Sequence, residues 1–414
     1  MAGPVIVYFS PWNYWERENR SQPLARALAK RGHLVLYVNY PLGDGRRQRL
    51  RTRLLHRRVE KVQEGLYITR GGPLRQMYFW RDMLFVASTG GTVKQYAFVD
   101  HVARLLRRAP FRGREVVVLS SRMISELFVE RVKARLHALD IEDPWSRFDG
   151  IWGVPREALL PALARFSRKA DVAVANGIRV AEVSRAEFHH REIAVLPNGV
   201  DVERFRPRPE RGRPADYPEG PSVLFSGTVD RRIDFELLEP SFVRFPGVNF
   251  VFVGMVAPPF VPQVELMKRR HRNVWFLGHR SIEALPAYLQ QADLFMIPYR
   301  RDDTWTQVFP AKVYEYFLCG RETVSSFPMA DVAPELQFAI KVAATAERFA
   351  ACVEEGVRGS ARGGEIAAHG RRQDWSERAA RLEQYLGLEL ARPTDAIAPE
   401  SLRQATTRQP SRKC

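Results

Sequence analysis

The stretch Ala292-Asp-Leu-Phe-Met-Ile-Pro298 opens the most informative part of the sequence, which continues to residue 328. It predicts a buried strand that ends at Pro298 and is followed by a polar loop. The next segment, Phe309-Pro-Ala-Lys-Val-Tyr-Glu-Tyr-Phe-Leu-Cys-Gly320, predicts a helix over residues 311–318. Pro310 suits the first turn of a helix, and Gly320 suits the left-handed residue that follows its last turn.

Lys312 lies in the first turn of this predicted helix, with Glu315 and Tyr316 three and four positions later on the same face. The free amides of a first helical turn bind anions. A lysine is locally unfavourable there because of the helix dipole, and a bound diphosphate would offset that cost. A carboxylate one turn along could accept both hydroxyls of a ribose. The alternative is an ordinary Lys–Glu pair on a solvated helix.

Continuous apolar runs alternate with helical patterns over most of the chain, and such runs are typical of strands buried on both faces of a parallel sheet. The predicted strands are residues 5–9, 34–38, 116–119, 172–175, 193–196, 223–225, 250–253, 274–277 and 294–297. The predicted helices include residues 23–30, 122–139, 157–169, 282–291 and 311–318. This alternation predicts an α/β protein.

Residues 206–221 contain seven Pro and Gly residues and predict a linker between two doubly wound domains. The expected division is an N-terminal domain (1–205), the linker (206–221), a C-terminal domain (222–374), a closing helix that packs back on the N-terminal domain (375–390) and a disordered tail (391–414). Two such domains that face each other place a ligand site in the cleft between them.

Composition narrows the class of protein. The chain has 414 residues, of which 45% are hydrophobic, so it is long enough and apolar enough for two cores. Its three cysteines are scattered, which indicates a reducing cytoplasm and neither a disulfide framework nor a zinc site. The sequence shows no secretory signal and no run of about 20 apolar residues. We therefore expect a cytoplasmic protein that does not span a membrane.

The net charge of +17 calls for a polyanionic partner or surface. Residues 46–61 hold eight Lys and Arg residues against one Glu, with leucines near helical spacing. They predict an interfacial amphipathic helix that binds anionic lipid at the inner face of the cell membrane. The alternative is a basic loop without a partner. Nothing in the sequence matches a nucleic-acid recognition motif, so we expect no specific nucleic-acid partner.

Several segments together resemble glycosyltransferase family 4, whose members have the GT-B fold of two facing Rossmann-like domains. The resemblance covers about residues 165–390 well and the N-terminal half loosely. Besides residues 292–328, its segments are Lys169-Ala-Asp-Val-Ala-Val-Ala-Asn176, Val195-Leu-Pro-Asn-Gly-Val-Asp-Val-Glu-Arg-Phe-Arg-Pro207, Val223-Leu-Phe-Ser-Gly-Thr-Val-Asp-Arg-Arg-Ile-Asp234, Asn273-Val-Trp-Phe-Leu-Gly-His279, Thr323-Val-Ser-Ser326 and Trp375-Ser-Glu-Arg378.

The resemblance implies a site for a nucleoside-diphosphate sugar. Glu315 would contact the ribose. Gln307 stands where the family has the first of two glutamates eight positions apart, which puts the contact to the donor sugar in doubt. Lys312 and either Arg231 or Arg232 would bind the diphosphate, which needs no metal or other cofactor. The remaining donor contacts would come from Gly227, Thr228, His279, Val308 and Phe309.

Fewer residues can be predicted for the acceptor site than for the donor site. Trp12, Asn13, Tyr14 and Trp15 follow the first strand, where aromatic rings could stack on sugar faces or anchor a loop. Residues 140–146 are expected in a second acceptor-side loop.

The sequence thus predicts a glycosyltransferase that acts on a glycan or lipid-linked acceptor in polysaccharide synthesis, with retention of configuration implied by the resemblance. The alternatives are a nucleotide-sugar epimerase on the same fold and a catalytically inactive relative.

Overall fold

The computed structural model describes residues 3–11, 13–15, 18–39, 59–69, 93–143, 156–188, 192–301, 310–329 and 334–388. Two β-sheets organise these residues. The strands of the first sheet are β1 (Val5–Phe9), β2 (Leu34–Val38), β3 (Val59–Gln63), β4 (Leu66–Thr69), β5 (Val116–Ser120), β6 (Leu136–Ile141), β7 (Val172–Ala175) and β8 (Ile193–Val195). The strands of the second are β9 (Ser222–Ser226), β10 (Asn249–Val253), β11 (Val274–Gly278), β12 (Leu294–Ile297), β13 (Thr323–Ser325) and β14 (Ile340–Val342).

Helices connect most of these strands. Those before the linker are α1 (Ser21–Lys30), α2 (Val93–Leu105), α3 (Ser125–Val132), α4 (Arg156–Arg168), α5 (Ile178–Phe188) and α6 (Val202–Phe205). Those after it are α7 (Phe235–Arg244), α8 (Val261–Arg270), α9 (Leu285–Leu289), α10 (Lys312–Leu318), α11 (Ala346–Gly356), α12 (Gly363–Arg371) and α13 (Trp375–Tyr385). The 3₁₀ turns are Pro209–Arg211, Pro258–Phe260 and Pro334–Ala339.

The first sheet has the strand order β3-β4-β2-β1-β5-β6-β7-β8, and its neighbours pair in parallel except for β3 and β4. The second has the order β11-β10-β9-β12-β13-β14 and is parallel throughout. In β1, Ile6 and Tyr8 face one core while Val5, Val7 and Phe9 face another. Both faces of the first sheet are therefore covered, as the uninterrupted apolar runs predict. The two sheets lie on either side of the predicted linker.

Helix α13 returns the end of the described chain to the first domain. Trp375, Ala379 and Leu382 belong to the same core as Ile6 and Tyr8 of β1. Glu383 accepts two hydrogen bonds from the Arg31 guanidinium, at 2.6 and 2.7 Å, and lies 2.8 Å from the His33 ring. The last helix thus ties the second half of the chain to the first.

Two sequence predictions of secondary structure are wrong in part. The helix expected over residues 122–139 ends at Val132, because Lys133 adopts a left-handed conformation and residues 136–141 enter the sheet as β6. Asp140, expected in an acceptor-side loop, is consequently a fully buried strand residue. Residues 59–61 of the expected amphipathic helix lie in β3, since they pair with β4, while residues 46–58 lie outside the described residues. The expected tail likewise lies outside them.

Candidate functional site

Lys312 is the first residue of α10, and its ammonium lies at the carboxyl end of β9. Nζ donates a hydrogen bond of 3.0 Å to the Tyr299 hydroxyl and lies 4.2 Å from the centre of the Phe225 ring. Gly227 follows β9 with a φ of +139°, and a Cβ built on it would lie 2.5 Å from Nζ. The glycine therefore leaves room for the lysine ammonium beside the backbone.

Arg232 brings a second cation to the same edge of the sheet. Its guanidinium donates to both carboxylate oxygens of Asp230, at 2.8 Å each, and lies 5.5 Å from the centre of the Tyr299 ring. Arg231 beside it is exposed. Which arginine would bind phosphate stays open, because Arg232 carries an ion pair and Arg231 faces solvent.

The pKa of the Tyr299 phenol indicates a positive potential at this end of the sheet. Burial raises the pKa of its phenol, but the charges of Lys312 and Arg232 outweigh burial and hold that pKa below its ordinary value. Positive potential favours an ionised phenol, and the same potential favours a bound phosphate. The carboxyl end of β9 is therefore a candidate anion site.

Glu315 lies one turn along α10 from Lys312. Burial raises the pKa of its carboxyl to about 7, although Lys312 acts in the opposite direction. Tyr316 is fully buried, its hydroxyl accepts a hydrogen bond of 2.9 Å from the Ser226 N–H, and its ring stacks on Phe295 at 4.0 Å. Tyr316 therefore anchors α10 to β9 and β12, which holds Lys312 and Glu315 in position.

A cavity of about 250 Å³ lies between the two halves of the chain and includes Glu315 in its wall. Its other lining residues are Glu18, Asn19, Arg20, Pro23, Glu142, Asp143, Asn176, Asn198, Gly199, Val200, Asp201, Phe205, Ile282, Ala311 and Trp375. Asp143 and Arg232 interact electrostatically across the cleft, and burial raises the pKa of Asp143 to about 6. The cavity therefore adjoins the candidate anion site.

The structure brings together Gly227, Arg232, Lys312 and Glu315 of the residues predicted for the site. Thr228 follows Gly227 and is half-buried, whereas His279 is exposed after the edge strand β11. The Asn13 side chain accepts a hydrogen bond from the Trp15 N–H, and Tyr14 is buried against Tyr37. The remaining predicted residues, Trp12, Gln307, Val308 and Phe309, lie outside the described residues.

Sequence reasoning missed three polar residues that line the cavity from the first domain, Arg20, Asn176 and Asn198. Asp143, which also lines it, lies in the expected acceptor-side loop 140–146. Asn176 and Asn198 stand in segments that carry the family resemblance. These side chains become candidates for binding only because the fold buries them around one cavity. A single sequence does not show which residues will share a cavity.

In the part of the chain that the structure describes, no group of three or more His, Cys, Asp and Glu side chains is arranged to hold a metal ion. That catalysis needs no cofactor stays a prediction. The described helices include none with the length and apolar content that a membrane crossing requires.

Comparison with solved structures identifies the fold. The chain superimposes on sucrose-phosphate synthase from Thermosynechococcus elongatus with a TM-score of 0.68 at 15% identity, covering 93% of this chain and 98% of the other. It superimposes on Anabaena HepE, in complex with UDP-glucose, with a TM-score of 0.63 at 13% identity, covering 92% and 99%. The fold is GT-B, as the sequence predicts.

The sequence comparisons point to the same class of enzyme. Residues 220–357 match the family profile described as "Glycosyl transferases group 1". A curated relative, the putative teichuronic acid biosynthesis glycosyltransferase TuaH of Bacillus subtilis (strain 168), is 23% identical over an alignment of 201 residues that covers 42% of this chain. The chain spans about half (48%) of that relative's length. The predicted resemblance to glycosyltransferases is therefore confirmed, while membership of family 4 stays a prediction.

Proposed function

We propose that this protein transfers a sugar from a nucleoside-diphosphate sugar to a hydroxyl of a glycan or lipid-linked acceptor. The observation that carries the proposal is the ammonium of Lys312, held 3.0 Å from the Tyr299 hydroxyl beside the backbone of Gly227. It lies at the carboxyl end of β9, where ligands bind in open α/β sheets. The GT-B fold, the group 1 profile and HepE with UDP-glucose all support a nucleotide-sugar donor.

The hard step in glycosyl transfer is to stabilise the departing diphosphate. Lys312 and one of Arg231 and Arg232 would supply that charge stabilisation from fixed positions, which is the largest catalytic effect such groups offer. Lys312 would exchange its bond to Tyr299 for a phosphate oxygen, and Glu315 would accept the ribose hydroxyls. Following the family resemblance, the reaction proceeds with retention, and the leaving phosphate takes the proton of the acceptor. Gln307 would contact the transferred sugar.

The name of the curated relative supports a role in surface polysaccharide synthesis. The strongly basic stretch 46–61 supports a peripheral position on an anionic membrane surface, from which a lipid-linked acceptor would be within reach.

Calorimetric titration with UDP, GDP, ADP and dTDP tests the donor site. At least one nucleotide should bind the wild-type protein, and Lys312→Ala and Glu315→Ala should each lose most of that affinity. Lys268→Ala, on the exposed end of α8, is the matched control and should bind like the wild type. Unchanged affinity in both site variants would rule out the site.

Product analysis separates transfer from the two rival functions. Mass spectrometry of a reaction with donor and acceptor should show a glycosylated acceptor, and NMR should show the anomeric configuration of the donor. An altered sugar nucleotide formed from donor alone would indicate an epimerase. Nucleotide binding without turnover would indicate an inactive relative.

A further inference from the structure

The wall of the cavity contains an arginine that is buried and not fully hydrogen-bonded. Arg20 is 5% exposed, and its Nε donates to Asp140 Oδ1 at 2.8 Å while Nη1 donates to Asn198 Oδ1 at 3.2 Å. Tyr8 in turn donates to the other oxygen of Asp140 at 2.5 Å. These bonds fix the guanidinium, yet its Nη2 finds no partner among the described residues.

Asn176, at the carboxyl end of β7, is the complementary group in the same wall. It is 4% exposed, and its amide nitrogen donates to the backbone carbonyl of Glu142. Its Oδ1 is buried, and within the described part of the chain it has no hydrogen-bond partner. Two residues of the cavity wall therefore each hold one hydrogen-bonding atom without a partner, a donor on Arg20 and an acceptor on Asn176.

Each such group costs free energy when it stays buried without a partner, so folded proteins keep few of them. A ligand that hydrogen-bonds to both groups would recover that free energy. A carboxylate or phosphate can accept from Arg20 but has nothing to donate to Asn176, and an ammonium can donate but cannot accept. A hydroxyl group does both.

The charges around the cavity are a second reason why an anion should not bind there. Five carboxyl groups line the cavity, namely Glu18, Glu142, Asp143, Asp201 and Glu315. Arg204 pairs with Glu18 and Asp201, and Arg20 pairs with Asp140, so carboxyl groups still outnumber guanidiniums there. An anionic group there would be repelled in a site with restricted solvent, whereas the hydroxyls of a neutral sugar can donate to these carboxylates.

The size and position of the cavity fit one sugar ring. Its volume of about 250 Å³ lies below the roughly 300–1,000 Å³ of pockets for drug-sized ligands. Trp375 and Phe205 add apolar surface to its wall, which suits the faces of a sugar. Glu315 belongs to the cavity and lies one helical turn from Lys312, so a ring bound here would adjoin the donor site.

We propose that Arg20 and Asn176 form a subsite that binds the terminal ring of the acceptor and selects an uncharged, hydroxyl-bearing sugar. Asp140, Tyr8 and Asn198 are positioning residues that hold the guanidinium of Arg20 in the wall of the cavity. The inference rests on the proposed function for its link to an acceptor, although binding of a neutral ring can be measured without turnover.

Saturation-transfer NMR on the full chain tests the subsite with methyl glycosides of glucose, galactose and mannose, each compared with its uronic acid and its 2-amino counterpart. At least one neutral glycoside should bind, and more tightly than its two charged counterparts. Asn176→Ala and Arg20→Lys should each weaken that binding by about fivefold or more, as expected for one lost hydrogen bond. Asn249→Ala, whose side chain bonds Trp275 far from the cavity, is the control and should bind like the wild type.

Three outcomes would overturn the proposal: tighter binding of a uronic acid or amino sugar, no signal from any neutral glycoside, or unchanged binding in both variants. Arg20→Lys alters a buried ion pair and could prevent folding. If it does, Asn176→Ala still tests the subsite. Nucleotide titration of the same proteins reports on the donor site separately. If the wild-type protein binds no nucleotide, that result counts against the proposed function and leaves the test of the sugar subsite unaffected.

Discussion

The backbone at Gly227 and the ammonium of Lys312 occupy neighbouring space at the end of β9. A methyl group on Gly227 would lie 2.5 Å from Nζ, and the φ of +139° is one that L side chains rarely adopt. We predict that Gly227→Ala displaces the lysine and weakens nucleotide binding at least about tenfold, the equivalent of 1.4 kcal/mol. Calorimetry with the nucleotide that binds the wild type measures this loss.

Gly247→Ala is the matched control, because a Cβ at Gly247 meets no heavy atom within 4 Å. It should bind nucleotide like the wild type. Equal affinity in both glycine variants would mean that the lysine can move aside, and that its place beside Gly227 is not needed for binding.

Glu315 links the candidate site to the pH dependence of stability. Burial raises the pKa of its carboxyl from 4.5 to about 7. The folded protein therefore holds this proton more tightly than the unfolded chain does, and stability falls as the pH rises between these values. Because Glu315→Gln stays neutral, its stability relative to the wild type should grow by on the order of 2 kcal/mol from about pH 5 to 8.

Urea unfolding at a series of pH values measures this difference. Glu236→Gln, an exposed carboxyl on α7, is the control and should keep a constant offset from the wild type. If the offset of Glu315→Gln also stays constant, the carboxyl does not carry the proposed burial penalty.

Sequence alone could predict Lys312 and Glu315 because their spacing on one helix is local. Arg20 could not be predicted in this way, since its partners Asp140 and Asn198 lie 120 and 178 residues away in the chain. The fold brings these residues together, and no local sequence pattern predicts their hydrogen bonds. Sequence alone was thus enough to propose the donor half of the candidate site, but not to predict the network around Arg20 in the wall of the cavity.

At the scale of elements, α13 holds the end of the described chain against the first domain. We predict that Glu383→Ala lowers the free energy of unfolding by about 2 kcal/mol, because Arg31 and His33 lose the carboxylate they bond. Burial raises the pKa of Glu383, but Arg31 and His33 outweigh it and the net direction is down. The contribution should therefore be lost as the pH falls below the ordinary value of 4.5.

Chemical denaturation at pH 7 and at a series of lower values, down to about pH 2, checks both statements. Glu377→Ala, an exposed residue in the first turn of the same helix, is the control and should cost less than about 1 kcal/mol. A similar loss for Glu377→Ala would point to the loss of any negative charge on α13 and not to the particular bonds of Glu383.

Strands and helices were predictable where one pattern dominates a segment. The predicted strands 5–9, 34–38 and 172–175 match β1, β2 and β7 in full, because their residues are continuously apolar. Strand β6 was not predicted, and most of it was assigned to the helix expected over 122–139. The polar residues His137 and Asp140 interrupt its apolar run. Both are buried and satisfied by distant partners, His137 through Ser125 and the carbonyl of Lys169. Tertiary hydrogen bonds thus overrode the local pattern.

At the scale of the whole molecule, the charge of +17 is uneven along the sequence. Around the candidate anion site, cations pair with local carboxylates, as Arg232 does with Asp230. Residues 46–61 have eight cations and one carboxylate of their own. An excess of this kind attracts anionic lipid at about 1 kcal/mol per cation near the surface.

We predict that the protein cosediments with vesicles containing anionic lipid and not with neutral vesicles. The attraction should weaken steeply between 0.1 and 1 M salt, because the screening length falls from about 10 to 3 Å. Replacing Arg46, Arg47, Arg49 and Arg51 with Gln should remove most of the binding. The same replacement of Lys268, Arg269, Arg270 and Arg272, around the exposed end of α8, removes equal charge and should change binding less. Equal losses in the two variants would mean that net charge and not this segment localises the protein, and no preference for anionic vesicles would remove the membrane proposal.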